Sequence, residues 1–214
     1  MILHGYWRSG AAYRVRIALA LKGLSYEQQG HDLRTGAQKA PDYVALNPQG
    51  MVPALEAPTE SGVAVITQSP AILEWLEETH PAPALLPSDA LGRAHVRAMA
   101  ALIGCDIHPL NNLRVGKALR EGFGADQAAI DAWAARWIVP GFEALEALVA
   151  RHGAGWSYGD APTLADCYLI PQIYSAGRFN VSLDAFPRLR AIDEAARADP
   201  AFVAAHPDNQ PDAG

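Results

Sequence analysis

The first 80 residues alternate short apolar segments with segments of helical periodicity. Met1–Tyr6 is a brief apolar run that ends at a polar turn, which predicts a strand. From position 12 onward, apolar residues recur at three- and four-residue spacing until Leu21, and Gly23 follows as a stop signal. This pattern predicts an amphipathic helix with cationic residues beside its apolar face, namely Arg14, Arg16 and Lys22.

The remainder of this region predicts one more strand, a weaker helix, a hairpin and a final helix. These elements span residues 25–29, 36–46, 52–56 with 63–67, and 69–79. Pro41 interrupts the weaker helix, and Thr59–Gly62 is a polar turn between the hairpin strands. Ser69 followed by Pro70 predicts an N-cap and a first helical residue. The resulting order, β-α-β-α-β-β-α, predicts an α/β domain over residues 1–80.

Strand patterns nearly disappear after a proline-rich segment. This segment, residues 81–87, contains three prolines and predicts a linker. Helical periodicity then covers residues 88–122, 126–152, 163–177 and 186–205, and Thr163 with Asp166 resembles a capping box. We therefore expect an all-α domain over residues 88–214. Its polar tail, residues 207–214, is expected to fray or to drape over the surface.

Composition narrows the function classes. The chain has 214 residues, a formal net charge of −6 and 50% hydrophobic residues, enough for a folded core. The mild acidity argues against nucleic acid, and no apolar run approaches the ~20 residues of a membrane span. The beginning of the chain lacks a secretory signal pattern, so we expect a cytoplasmic protein.

The two cysteines, Cys105 and Cys167, are too far apart in the chain for a metal-binding or disulfide motif. We interpret them as buried free thiols in a reducing compartment. Likewise, the sequence predicts no metal site, no P-loop and no dinucleotide-binding motif.

Candidate chemistry begins at Trp7–Ala11, between the first strand and the first helix. Ser9 would lie at a helix N-terminus, where backbone N–H groups and the helix dipole favour an anion. A thiol bound there would have a lowered pKa, and Ser9 could donate a hydrogen bond to the thiolate. The alternative is that Ser9 only caps the helix.

Two further segments have both a binding interpretation and a structural one. Pro53 is a candidate for a cis peptide bond that leaves the Val52 backbone open to an extended peptide ligand, or it is an ordinary edge-strand proline. Gln68 and Ser69 could hold a carboxylate at the start of the last helix of the α/β domain, or Ser69 is a plain N-cap.

Three arginines near predicted element ends, Arg8, Arg114 and Arg178, are candidates for carboxylate recognition, because the guanidinium fork matches a carboxylate. Each could equally be a solvated surface residue. His108 precedes Pro109 and marks either a bend in a helix or a functional position.

Taken together, these segments resemble the glutathione transferases over nearly the whole chain, and more narrowly their zeta class. The segments that carry the resemblance are Arg8–Leu19, Ala45–Pro48, Val52–Pro53, Gln68–Ser69, Leu76–Pro87, Gly159–Asp166, Pro171–Gln172 and Gly177–Phe179. Cys105–Pro109 with Arg114 is most similar to the bacterial maleylpyruvate branch of that class.

The resemblance implies a thioredoxin-like N-terminal domain that binds glutathione and an all-α C-terminal domain that binds the second substrate. It implies that Ser9 is the active-site serine and that a homodimer forms. The other positions that it implies for glutathione binding are Gln38, Val52, Gln68, Ser69, His108 and Asn112.

The activity implied is glutathione-dependent cis–trans isomerisation of a maleyl keto acid, maleylpyruvate or maleylacetoacetate. Arg8, Arg114 and Arg178 would then stabilise the enolate and bind the substrate carboxylates. The alternatives are a transferase that conjugates electrophiles or reduces peroxides, and a non-catalytic glutathione-binding protein. The family often has Ser-Ser-Cys where this chain has Ser9-Gly10-Ala11, so only Ser9 and the helix terminus are left to stabilise a thiolate.

Overall fold

The computed structural model describes every residue from Met1 to Gly214 and divides the chain into two compact units. The first unit joins Met1–Leu85 to Ala198–Gly214, and the second unit is Leu86–Arg197. The sequence pattern had placed residues 198–214 in the helical domain, whereas in the structure they pack with the α/β part of the chain.

A four-stranded mixed sheet forms the centre of the first unit. Its strands are β1 (Ile2–Gly5), β2 (Glu27–Gly30), β3 (Ala54–Thr59) and β4 (Gly62–Thr67), in the spatial order β2-β1-β3-β4. β1 pairs parallel with β2 and antiparallel with β3, and β3 and β4 form the hairpin. Because a parallel pair needs a crossover, the chain passes through a helix between β1 and β2.

The helices of the first unit are α1 (Gly10–Leu21), α2 (Pro41–Leu46) and α3 (Ser69–Thr79), which complete the predicted order β-α-β-α-β-β-α. Pro41 begins α2 instead of interrupting a longer helix, because a first-turn residue needs no backbone N–H. α3 also begins differently from the prediction. Its N-cap is Gln68, and Ser69 is already helical, so the assignment of Ser69 as the cap was wrong.

α1 is buried almost all round, which its sequence pattern did not predict. It packs against α3 and against α9 (Pro200–Ala205), and Ala12–Leu19 are all buried. The cationic residues predicted to flank its apolar face are buried with it. Lys22 forms an ion pair with Glu77 at 2.8 Å and donates to the carbonyl oxygens of His80 and Pro83.

The second unit is helical. Its helices are α4 (Ala90–Ala101), α5 (Leu113–Phe123), α6 (Gln127–His152), α7 (Leu164–Arg178) and α8 (Pro187–Ala198), of which the last residue belongs to the first unit. The capping box at the start of α7 is present, with a fully buried Asp166 that accepts from Thr163 and Ser157. No helix of the protein has the length and apolar character needed to cross a membrane.

Two of the long helices predicted from the sequence are broken. The segment 88–122 divides at a π-helical turn, Leu102–Ile107, and a 3-10 turn, His108–Asn111, where Pro109 cannot donate a backbone hydrogen bond. The segment 186–205 divides at Asp199, which caps α9 through its side chain. Cys167 is buried as expected, but Cys105, on the π-helical turn, is exposed.

Candidate active site

The start of α1 lies directly after the turn that leaves β1. Ser9 is its N-cap, and the Ser9 Oγ accepts a hydrogen bond from the Ala12 N–H at 3.2 Å. The Ser9 N–H donates to the Tyr6 carbonyl oxygen, which closes the turn. In a helix the first N–H groups have no intrahelical acceptor, so Gly10 and Ala11 present donors at this end. The Ser9 O–H adds a third donor, which makes this end of α1 suited to an anion.

Arg8 precedes this helix, and its guanidinium carbon lies 5.2 Å from the centroid of the Trp7 ring. A cation over an indole face is held by the ring quadrupole. The first turn of α1 contains no acidic residue that would compete with a bound anion. Both features favour anion binding at this end of the first unit.

Two polar side chains hold the backbone of the segment that leads to Val52. The Tyr43 hydroxyl and the Asn47 amide both donate to the Met51 carbonyl oxygen, at 2.7 and 2.6 Å. Asn47 is buried, and its backbone carbonyl oxygen also accepts from Gly50. The peptide bond between Val52 and Pro53 is cis. Asn47 is a positioning residue that sequence reasoning did not single out, although the Asn-Pro dipeptide was a signal for a turn.

The start of α3 has no side-chain cap. Gln68 has φ +70°, a conformation that is strained for a residue with a Cβ. Such strain persists only where surrounding contacts maintain it, and it is typical of ligand-binding positions. The side chain of Gln68 donates to Gln49 Oε1 at 2.6 Å, and the buried Arg14 donates to Ser69 Oγ at 3.4 Å.

A chain of hydrogen bonds connects the segments that carry Gln38, Val52 and Gln68. Gln38 lies in a 3-10 turn, Ala37–Lys39, and the Lys39 ammonium donates to the Gln49 carbonyl oxygen at 3.1 Å. Gln49 in turn contacts Gln68. Gly50 has φ +57°, and a Cβ there would lie 3.0 Å from the Gln38 carbonyl oxygen, so the backbone at this position favours glycine. The Gln38 Oε1 is buried without a hydrogen-bond partner in the chain.

The second unit contains the other four predicted residues. His108 begins the 3-10 turn, and Asn112 is the N-cap of α5, where its Oδ1 accepts from the Arg114 N–H at 3.1 Å. The exposed Arg114 and these two residues are close in the chain, whereas Arg178 lies in the last turn of a different helix, α7. Asn111, which the sequence analysis did not select, has both amide atoms buried without a partner.

A histidine pair connects the sheet to the segment that carries Val52. His4 on β1 contacts Glu56 on β3 at 2.7 Å and His31 at 3.0 Å. The His31 ring packs on Tyr43, with the ring centroids 4.2 Å apart. Burial first, and then the neighbouring His4, lowers the pKa of His31 below its ordinary value of 6.5. The His31 ring that packs on Tyr43 therefore binds a proton less readily than a solvated imidazole.

Comparison with known proteins shows similarity along the entire chain. The family model described as "Glutathione S-transferase, N-terminal domain" matches residues 8–79. The chain is 53% identical over 215 residues to a maleylpyruvate isomerase from Ralstonia sp, with 99% of each chain covered. It is 52% identical over 214 residues to a maleylacetoacetate isomerase from Pseudomonas aeruginosa, with 99% of this chain and 98% of the relative covered.

Two solved structures are similarly close. One is a holo maleyl pyruvate isomerase, described as a bacterial zeta-class glutathione S-transferase, with a TM-score of 0.96, 52% identity and full coverage of both chains. The other is a maleylacetoacetate isomerase from Anaeromyxobacter dehalogenans with glutathione bound in its active site. It has a TM-score of 0.91 and 48% identity, and the match covers 100% of this chain and 97% of that one.

We predict that His31 makes the stability of the fold depend on pH. Because its pKa is lowered in the folded state, the unfolded chain binds the proton more readily. The free energy of unfolding is therefore unaffected by this group above about pH 6.5 and falls as the pH drops below it. Urea unfolding of the wild type and of His31→Gln, from about pH 7.5 to about pH 5.5, measures this effect.

The wild type should lose more stability over this range than His31→Gln, in which the titrating ring is absent. Parallel pH curves for the two proteins would show that His31 does not couple protonation to folding.

Proposed function

Because the chain belongs to the zeta class of the glutathione S-transferase family, we propose that it is a glutathione-dependent cis–trans isomerase of a maleyl keto acid. This proposal depends on one observation: over essentially its whole length, the chain shares 53% and 52% sequence identity with two isomerases whose names specify maleylpyruvate and maleylacetoacetate, respectively. These names leave both keto acids as candidate substrates of this chain.

Three features of the first unit support glutathione as the cofactor. The Ser9 O–H and the first N–H groups of α1 form a donor set for a sulfur anion. The uncapped start of α3, with Arg14 donating to Ser69, suits a carboxylate. The buried Gln38 Oε1 has no donor in the chain, so an ammonium or amide group of a ligand would satisfy it. A tripeptide with a thiol, two carboxylates and an amine contains all of these groups.

Glutathione, when bound, supplies a sulfur nucleophile that adds reversibly to the cis double bond, so that the carbon–carbon bond can rotate before the sulfur leaves. Ser9 donates its O–H to the sulfur and keeps it ionised, with the N-terminus of α1 adding its positive dipole end. Gln68 and Ser69 hold the γ-glutamyl end, and the Val52 backbone pairs with the cysteinyl backbone.

The arginines have the second electrostatic task. Arg8, Arg114 and Arg178 are the arginines proposed to bind the carboxylates of the substrate and to neutralise the charge that develops on its ketone oxygen. Their guanidinium groups stay cationic throughout, so they contribute fixed charge and orientation and transfer no proton. His108 and Asn112 contribute further contacts to glutathione.

We also propose that the protein is a cytoplasmic homodimer. The edge strand β4 supports the dimer, because Val63 and Val65, two positions apart, are 69% and 43% exposed. Exposed apolar side chains in a row on an edge strand are typical of a surface that a partner covers.

The proposed reaction is tested with maleylpyruvate and maleylacetoacetate, each incubated with the protein in the presence and absence of glutathione. Ultraviolet absorbance should show loss of the maleyl compound only with glutathione, and chromatography should show the trans isomer with the glutathione concentration unchanged. Accumulation of a stable glutathione adduct would instead indicate a conjugating transferase. Glutathione binding without turnover of either compound would indicate a binding protein.

Replacing Ser9 tests the assignment of the thiolate site. Loss of one preorganised donor typically costs about 3 kcal/mol of transition-state stabilisation, so Ser9→Ala should lower kcat/KM roughly a hundredfold. Arg8→Ala should have an effect of similar size, because it removes a fixed charge. Ser9→Thr retains the hydroxyl and should therefore keep the activity that Ser9→Ala loses.

The matched control for these variants is Ser25→Ala, at an exposed serine of the same unit. Thermal unfolding separates the loss of the N-cap, about 1 kcal/mol, from the loss of catalysis. Turnover near that of the wild type in both Ser9→Ala and Arg8→Ala would contradict the assigned roles.

A further inference from the structure

The backbone of Trp7, two residues before Ser9, is held on both sides by groups from outside its own loop. Its N–H donates to Asp212 Oδ2 at 3.0 Å, and its carbonyl oxygen accepts from Arg16 Nη2 at 2.9 Å. The first contact joins residues that are 205 positions apart in the chain. The two peptide groups that flank Trp7 are therefore fixed before the chain reaches Arg8 and Ser9.

Asp212 itself occupies a defined position. Its Oδ1 accepts from Gln28 Nε2 on β2 at 2.5 Å, so each carboxylate oxygen has a donor. A Cβ at Gly30 would lie 3.2 Å from both Cβ and Oδ2 of Asp212, so glycine permits this close approach. The Gly214 carbonyl oxygen accepts from Arg34 Nη1 at 2.9 Å. The tail is thus draped over the β2 side of the sheet by several specific contacts.

Arg16 provides the second attachment. The residue is 1% exposed, and its Nε donates to the Ala205 carbonyl oxygen at 2.9 Å while its Nη2 donates to the Trp7 carbonyl oxygen. The end of α9 and the turn before α1 therefore share one cation. Residues 198–214 hold the Trp7 turn through this guanidinium and, separately, through the Asp212 carboxylate.

From this geometry we propose that Asp212 is a positioning residue for the active-site turn: by accepting the Trp7 N–H, it sets the placement of Arg8 and Ser9 at the start of α1. The inference rests on the proposed function, because it assigns a role in placing the groups that act in that reaction. A carboxylate acceptor makes a short and directional hydrogen bond to an N–H. Displacement of a reacting group by about 1 Å can cost as much as a hundredfold in rate.

The amide isostere separates positioning from a simple effect of charge. In Asp212→Asn, the remaining carbonyl oxygen can still accept the Trp7 N–H. The new Nδ2 can donate to Gln28, whose Oε1 is buried without a partner and becomes an acceptor when the Gln28 amide turns over. Asp212→Ala removes the acceptor altogether. A positioning role therefore predicts a small change in kcat/KM and hydrogen exchange for Asp212→Asn, and a large change in both for Asp212→Ala.

Gly30→Ala disturbs the same contact from the opposite side. The added methyl group forces the Asp212 carboxylate to move by a few tenths of an ångström while the tail keeps its sequence. Asp208→Ala is the matched control, because Asp208 lies four residues earlier in the same tail and its side chain is 69% exposed.

The test measures two quantities on the full-length variants. The first is amide hydrogen exchange of the peptide that contains Trp7–Ser9, without glutathione, by mass spectrometry. The second is kcat and KM for glutathione in the isomerase assay across a range of pH. Asp212→Ala should speed exchange in this peptide and lower kcat/KM about tenfold or more, with its pH profile shifted to higher pH because the sulfur is less well stabilised.

Asp212→Asn should stay within about threefold of the wild type, Gly30→Ala should change both quantities in the same direction as Asp212→Ala, and Asp208→Ala should match the wild type. Unchanged exchange and kcat/KM in Asp212→Ala would overturn the proposal. So would equal impairment of the asparagine and alanine variants, or a pH profile shifted to lower pH, since removal of a negative charge alone has that effect. A wild type that isomerises neither maleyl compound refutes the proposed function, whereas the exchange result still decides whether Asp212 fixes the turn.

Discussion

The chemistry proposed for this protein depends on the polarity of one helix end. The amino-terminal end of α1 presents backbone donors, the Ser9 hydroxyl and a nearby guanidinium, with no acidic residue in the first turn. The proposed mechanism places a sulfur anion there, where the dipoles are already fixed and need not reorganise when the anion forms. The second hydroxyl and the cysteine that the family often has are absent at Gly10 and Ala11, so the proposed mechanism assigns that task to Ser9 and the backbone.

Fixed dipoles are useful only when the helix is held rigidly, and buried cations of α1 provide this rigidity. A buried charge is costly unless it is paired or hydrogen-bonded. Arg16 bonds to carbonyl oxygens of Trp7 and Ala205, and Lys22 to Glu77 and two carbonyl oxygens near the linker. Arg16 connects the turn before α1 to the end of α9, whereas Lys22, the C-cap, connects the other end of α1 to α3 and the residues after it. Both ends of α1 are therefore held by contacts with residues far away in the chain.

Local sequence signals predicted the part of the fold that depends on local rules. The order of strands and helices up to α3, the hairpin turn and the capping box at Thr163 follow from period, turn residues and caps, and the structure confirms them. The fold class, an α/β thioredoxin-like domain followed by helices, is confirmed by the match of residues 8–79 to the glutathione S-transferase N-terminal domain and by the full-length match to a solved zeta-class structure. The prediction that Ser69 is the N-cap of α3 was wrong, because Gln68 takes that position with a positive φ. Glutamine has no preference for positive φ that would have indicated this.

Contacts between segments that are far apart in the chain could not be predicted from local sequence patterns. Nothing near Asp212 indicates that its carboxylate bonds to Trp7, and nothing in the spacing of Arg14 and Arg16 separates a buried arginine from a surface one. Most candidate site residues were found from local patterns such as helix starts, and Gln38 and Asn112 from the resemblance to a family. In contrast, Asn47, Gly50 and Asp212 emerged only from the structure, because their roles are contacts to backbone groups.

The central claim, that the start of α1 stabilises a sulfur anion, is tested most directly by titrating the thiol of glutathione bound to the wild-type protein. Ultraviolet absorbance of the thiolate, followed against pH, gives the pKa of the bound thiol. The account predicts a value clearly below the ordinary thiol pKa of about 8.5. A bound thiol that titrates like free glutathione, or no binding of glutathione, would contradict it.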